Sequence, residues 1–300
     1  MRASASTTVP LFALITVIFF LMPLARGDQI QVQSGEKVAF LGDSITANGA
    51  ATPSGYVRLV ESALAANGIQ ITPIKAGVSG NTSKDMLARL DRDVINSKPD
   101  WVTISCGVND VWHAVNGVPL PDYKTNMTEM VNRCKDAGIK VMLLTSTPIG
   151  EDLSNANNKK LEAYNDFLRA LAKQDHLLLA DLNACVQSEL KKQLAGPHSV
   201  GNLLTVDGVH MNPLGNEAMA SGILRAFGLN DDQIKMAQEK WLDIPAACDV
   251  PGKASITIRQ YQQLDALATK QHSSVQNILN DALTQTVARL LDGQSAGQHE

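Results

Sequence analysis

The sequence predicts an α/β protein with a parallel sheet held between two layers of helices. From residue 36 to about 229, short β-rich runs alternate with longer helical patterns. That alternation builds parallel sheets through right-handed crossovers. The β-rich runs are almost continuously apolar, as strands buried on both faces should be. The segments between them carry helical patterns, and Gly68 and Gly138 stand where two of these helices should end.

Five strands are expected: KVAFLG (37–42), ITPIKA (71–76), WVTISCG (101–107), KVMLLTSTP (140–148) and LLLADL (177–182). Helical patterns cover YVRLVESALAANG (56–68), SKDMLARLDRDVINS (83–97), DYKTNMTEMVNRCKDAG (122–138), NNKKLEAYNDFLRALAKQD (157–175) and NPLGNEAMASGILRAFG (212–228). After residue 229 the character changes. DDQIKMAQEKW reads as a helix and IPAACDVPGK as a linker. A short extended SITIR segment then leads into further helical periodicity and a polar tail, DGQSAGQHE, expected to be disordered. We therefore expect a signal segment over 1–27, a catalytic domain over 28–229 and a helical extension over 230–300.

The signal segment rests on Arg2, the apolar run Val9–Ala25, and small residues Ala25 and Gly27 before Asp28. The alternative is an N-terminal membrane anchor, since the run nearly spans a bilayer. Pro23 and the small pair favour cleavage, which makes the protein secreted or periplasmic with no stable membrane insertion afterwards. Removing 1–27 takes away Arg2 and Arg26 and no acids, carrying the formal charge from −4 to −6. That acidic balance, with no basic run, argues against nucleic acid as a partner. It also opposes a DNA-binding reading of the C-terminal segment, which weakly resembles a ribbon-helix-helix. Its helices are expected to pack on the catalytic part or on a second copy of the chain. Cys106, Cys134, Cys185 and Cys248 allow three pairings or none, and export permits a bridge. No tight metal-ligand spacing occurs, so neither metal nor other cofactor is expected.

Loops that follow the strands of a parallel sheet share one edge, where ligands gather. Three of them are unusual: Gly42-Asp43-Ser44-Ile45, AGVSGNTS (76–83) and GVND (107–110). TVDGVH (205–210), placed after the fifth strand, is a fourth. Their residue types fit nucleophilic acyl transfer. A serine hydroxyl needs a base, for which His210 serves, and Asp207 three residues earlier can fix the imidazole tautomer. Backbone N–H groups of Ser44 and Gly80 and the side chain of Asn109 can supply an oxyanion hole. Taken alone, Ser44 reads as a helix N-cap and Asn109 as a turn residue. Asp43 is read as bracing its loop and Asp110 as structural. The convergence of four loops reverses the bland readings.

GDSI, VSGNT, GVND and DGVH resemble, in order, the four blocks of the SGNH, or GDSL-type, hydrolases. The resemblance spans roughly 37–220. It implies a flavodoxin-like three-layer α/β/α fold and metal-free ester hydrolysis. It also implies Ser44 as nucleophile, His210 as base, Asp207 as its orienter, and Gly80 and Asn109 as oxyanion donors. Removal of small acyl groups, acetyl above all, from a carbohydrate is the first expectation. An arylesterase, a lysophospholipase or an acyltransferase would use the same residues. A non-catalytic glycan-binding module would keep only the fold. Trp112 and His113, just past Asn109, are expected to rim the pocket and touch substrate. GQSAG (293–297) mimics a nucleophile elbow, but it lacks the strand before it and the helix after it that such an elbow needs. Asn81 and Asn126 begin glycosylation sequons.

Overall fold

The computed structural model describes residues 30–196, 201–244 and 258–295. Among them five strands form one parallel sheet: β1 Lys37–Gly42, β2 Thr72–Gly77, β3 Trp101–Ser105, β4 Lys140–Leu144 and β5 Leu178–Ala180. Their order is β2-β1-β3-β4-β5. β1, β3 and β4 are buried almost throughout, which explains their apolar runs, while the edge strands β2 and β5 are partly exposed. In register, Gly42 pairs with Gly77 and Leu41 with Ile104, so β1, β2 and β3 end close together.

The helices are α1 Ser44–Ala51, α2 Tyr56–Ala66, α3 Ser83–Asp93, α4 Val108–Trp112, α5 Leu120–Asp136, α6 Ala156–Gln174, α7 Leu182–Leu194, α8 Pro213–Ala226, α9 Asp231–Trp241, α10 Ile258–Lys270 and α11 Val275–Ser295. The connection from β1 to β2 runs one way across the sheet, and all later crossovers run the other way. Right-handedness then forces α3, α5 and α6 onto one face and α2 onto the other. α8 packs against α2 and α7, and the α2–α8 contact is pinned by the Tyr56 N–H donating to Asn216 at 2.9 Å. Gly68 and Gly138 have φ of 81° and 75°, as helix-ending glycines should.

Three helices depart from expectation, one of them α4, which makes helix of Val108–Trp112 where the GVND loop was expected. α1 begins at Ser44 itself, capped by Asp43, which accepts the Ile45 N–H at 2.9 Å. α7 occupies residues expected to be strand end and loop, because Asp181 caps a helix there instead of continuing β5. TVDGVH therefore follows α7 rather than a strand.

The chain divides into two units, residues 1–248 and 249–300. α9 belongs to the first, not to the extension expected from residue 230. It buries Ile234, Ala237 and Trp241 in the same core as the sheet. In the second unit α10 and α11 contact each other, and Ile258 and Arg259 of the expected extended segment are helical. Ser295 ends α11. Cys106, Cys134 and Cys185 are free thiols, whereas Cys248 lies outside the described residues. The signal segment 1–27 lies outside them too. Among the described residues no helix is long and apolar enough to cross a membrane.

Candidate active site

The strand order reverses at β1, whose neighbours are β2 and β3. Crevices at such reversals, beyond the strand C-termini, are where these sheets bind ligands. Ser44 follows β1, Gly80 follows β2, and Asn109 follows β3.

Ser44 stands two residues past Gly42, on the first turn of α1. Its Oγ lies 2.9 Å from His210 Nε2, although 166 residues separate them in the chain. On the far side of the ring, Nδ1 lies 2.7 Å from an Asp207 carboxylate oxygen. With the proton on Nδ1, that contact leaves the Nε2 lone pair facing the serine hydroxyl. The arrangement can take a proton from Ser44 and hold the resulting imidazolium against a carboxylate. Asp207 also accepts the N–H of Val209 at 3.0 Å and of His210 at 2.8 Å. Partial burial opposes its ionisation, but the imidazole and the two N–H donors outweigh that and hold its carboxyl below the ordinary value. Its side chain is still 49% exposed, so the triad opens directly to solvent.

Gly80 is exposed, at φ 77°, with open space where a Cβ would stand. That conformation favours glycine, and the missing side chain leaves its N–H approachable. Asn109 is 4% exposed. Its amide donates to the Asn81 carbonyl at 3.0 Å, which locks α4 to the Gly80 loop. The same nitrogen stands 3.5 Å from Asp43. Asn109 is thus aimed between the Ser44 loop and the Gly80 loop. Trp112 and His113 sit at the exposed end of α4, ring centroids 6.3 Å apart. Among the described residues neither hydrogen-bonds to Ser44, Asp207 or His210.

Beneath the site lie buried groups that carry its electrostatics. Burial pushes the Asp43 carboxyl up to about 6, opposed by the Ile45 N–H and by the nearby His210. Asp110 is also raised, first by burial, while the Ser83 hydroxyl and N–H and the Cys106 thiol stabilise its charge. Among the described residues no cluster of His, Cys, Asp and Glu is placed to hold a metal ion.

Sequence reasoning missed Arg89. Its guanidinium, 7% exposed, donates to the carbonyls of Gly42 at 2.8 Å and Ala76 at 2.9 Å and to Asn81 at 2.5 Å, and pairs with Asp93. One side chain thereby ties the Ser44 loop to the Gly80 loop. The available signal was an arginine between Met86 and Leu90, on the buried face of α3. Both sequon asparagines are turned inward: Asn81 accepts from Arg89, and Asn126 donates to Ser83 at 3.1 Å.

Residues 40–218 match the model of the GDSL-like Lipase/Acylhydrolase family. The chain belongs to this family. Over 218 residues it is 30% identical to an acetylxylan esterase of Geobacillus stearothermophilus, a match covering 66% of this chain and 97% of the relative. The esterase TesA of Pseudomonas aeruginosa is 29% identical, over 60% of this chain and 82% of its own. The crystal structure of Axe2, an acetylxylan esterase from Geobacillus stearothermophilus, superposes with a TM-score of 0.59 at 31% identity, covering 67% of this chain and 97% of that one. The reaction class of this GDSL-like chain is carboxylic ester hydrolysis.

Proposed function

We propose that the chain is an exported serine esterase that removes small acyl groups, acetyl first, from carbohydrate. Ser44 Oγ attacks the ester carbonyl as His210 Nε2 takes its proton, and Asp207 steadies the imidazolium. The backbone N–H groups of Ser44 and Gly80 and the Asn109 amide receive the oxyanion. As the tetrahedral intermediate collapses, His210 returns its proton to the leaving alcohol. His210 then deprotonates a water, which attacks the acyl-enzyme; as this second intermediate collapses His210 returns that proton to Ser44, and the carboxylic acid departs and ionises in solvent. The observation that carries this reading is the continuous Ser44–His210–Asp207 contact, at 2.9 and 2.7 Å.

The substrate class rests on support of two kinds. The acetylxylan esterase relative is matched over 97% of its length. The half-exposed Asp207 and the exposed Gly80 and Trp112 leave the site open, as a bulky polymeric alcohol requires. Trp112 and His113 offer ring faces to a sugar beside the scissile ester. Residues 1–27 are read as a cleaved export signal, which N-terminal sequencing of the exported protein, beginning at Asp28, would support. Residues 28–229 are read as the catalytic domain, with α9 packed onto it.

The deciding experiment incubates the chain and Ser44→Ala with p-nitrophenyl acetate, butyrate and octanoate and with acetylated xylan. Turnover lost in the variant, fastest on acetyl esters and present on xylan, supports the reading. Preference for octanoate would move the substrate to lipid-like esters. Absence of Ser44-dependent turnover on all four would move it to acyl transfer or to glycan binding without chemistry.

A further inference from the structure

His210 and Asp207 do not stand on a strand or a helix. They sit on segment 201–212, between α7 and α8, whose own ordering is one isolated bridge, Thr205 to Met211, flanked by Val206 N–H to His210 O at 2.8 Å and Asn212 N–H to Leu204 O at 3.0 Å, with the Asn212 side chain donating to the Leu203 carbonyl at 2.8 Å. A two-stranded ribbon of this size does not hold itself in water. Something outside it must set how far His210 Nε2 stands from Ser44.

The loop after β4 supplies that restraint. One oxygen of the half-buried Glu151 carboxylate accepts the N–H of Leu204 at 2.8 Å, the N–H of Thr205 at 2.9 Å and the Thr205 hydroxyl at 2.8 Å. The other oxygen accepts the N–H of Leu203 at 2.7 Å. Three consecutive backbone N–H groups thus converge on one anion, an arrangement that proteins otherwise offer to bound phosphates. Thr205 passes the restraint on, its Oγ1 accepting the Gly208 N–H at 3.1 Å, and the Gly150 N–H donates to the Gly208 carbonyl at 2.6 Å. Glu151 is itself on a fixed base. Asn155 and Asn158, at the start of α6, bond the Ile149 carbonyl and N–H and the Asp152 carbonyl. The restraint runs from α6 through Glu151 and Thr205 to Gly208, two residues before His210.

We propose that Glu151 is a positioning residue for catalysis: it sets the reach of His210 to Ser44 by clamping the 203–208 backbone. The proposal rests on His210 being the base. Asp207 orients the ring locally, and Glu151 places the whole ribbon relative to β1. A carboxamide cannot replace the carboxylate, because its NH2 would face an N–H donor at Leu203 or at Leu204 and Thr205. The expected signature is kinetic. A ring displaced by a fraction of an ångström still binds substrate but transfers the proton poorly, and a misplacement of about 1 Å can cost roughly 100-fold.

The test uses the full chain, with p-nitrophenyl acetate as probe and rates expressed per folded molecule. Glu151→Gln should lower kcat by roughly 10- to 100-fold with KM within about twofold. The midpoint of the acid limb of the kcat–pH profile should not move, since Asp207 still partners His210. Thr205→Val, which breaks the link to Gly208, should lose several-fold in kcat, and Thr205→Ser should restore it. Glu151→Gln with unchanged kcat and merely a lower Tm overturns the proposal. If that variant does not fold, the Thr205 pair decides: equal kcat in Thr205→Val and the parent overturns it. His210→Ala, run alongside, separates the two ideas. An inactive His210→Ala with a normal Glu151→Gln overturns the positioning role alone, and an active His210→Ala overturns both.

Discussion

Asp43 is a carboxylic acid kept 2% exposed beside Ser44, and replacing it by asparagine tests what its burial costs. Burial pushes its carboxyl from 3.8 up to about 6. In the unfolded chain the same group titrates near its ordinary value. The folded state therefore holds this proton over a range where the unfolded state has released it. Stability from protonated Asp43 is complete below about pH 4 and is lost as pH rises through about 6. The gap is about two pKa units at about 1.4 kcal/mol each, so ionised Asp43 withdraws about 3 kcal/mol at neutral pH. Asp43→Asn cannot ionise, yet keeps an oxygen that can accept the Ile45 N–H. Urea unfolding of both proteins, from about pH 4 to about pH 8, measures the difference. The variant should gain on the parent by about 2–3 kcal/mol across that range, most of it between about pH 4 and pH 6. A difference that stays constant within about 0.5 kcal/mol over the same range would refute the reasoning. The stabilised variant should also turn over more slowly. The ionised carboxylate favours a positive charge on His210, and the imidazolium is the form that appears when Ser44 loses its proton. A costly buried acid would then be retained for function, a common trade.

Asp207→Asn should lower kcat by roughly 1,000-fold with little change in KM, because an amide neither fixes the tautomer nor balances the imidazolium; steady-state kinetics on an acetyl ester checks it. Arg89→Met leaves the Gly42 and Ala76 carbonyls and Asp93 without their buried donor, and should cost roughly 2–4 kcal/mol in urea unfolding along with activity. Arg89→Lys should recover little, since an ammonium lacks the planar fork that spans the two loops. Gly77→Ala would drive a Cβ into the backbone of Ala47, where β2 and α1 meet, and should cost about 1–3 kcal/mol in a denaturant melt.

The sheet was legible because β1, β3 and β4 are buried on both faces, which leaves apolar runs with few alternatives. α7 was missed although Leu182, Val186 and Leu190 recur every four residues and are all buried. Reading β5 through to Leu182 consumed the helix's cap and first turn. α1 offered less to read. SITANGAA has little contrast between faces, and it is ordered by what touches it, with Gly49 admitting the Tyr56 ring. α9 carries a clear apolar face, but a helical pattern does not tell which surface it covers, so its attachment to the first unit emerged only from packing.

Site residues and their supports differ in legibility for a chemical reason. A nucleophile, a base and its carboxylate partner are restricted to few residue types, and the loops that carry them are marked by glycine and asparagine. The supporting groups are under no such restriction. The carbonyl of Gly42 needs a donor, and Arg89 supplies it from 47 residues away. The 203–205 backbone needs an acceptor, and Glu151 supplies it from more than 50 residues away. Neither residue stands in a pattern of its own, because what each satisfies is a main-chain group that every residue type possesses. The position of such a support is set by the fold alone. With Glu151 clamping the 203–208 backbone as proposed above, the 2.9 Å contact between His210 and Ser44 rests on that support as well as on the two side chains. A sequence that kept all four loop motifs but lost the acceptor at Glu151 would still look like an esterase on paper, yet on the positioning role proposed for Glu151 it would hold His210 at the wrong distance from Ser44.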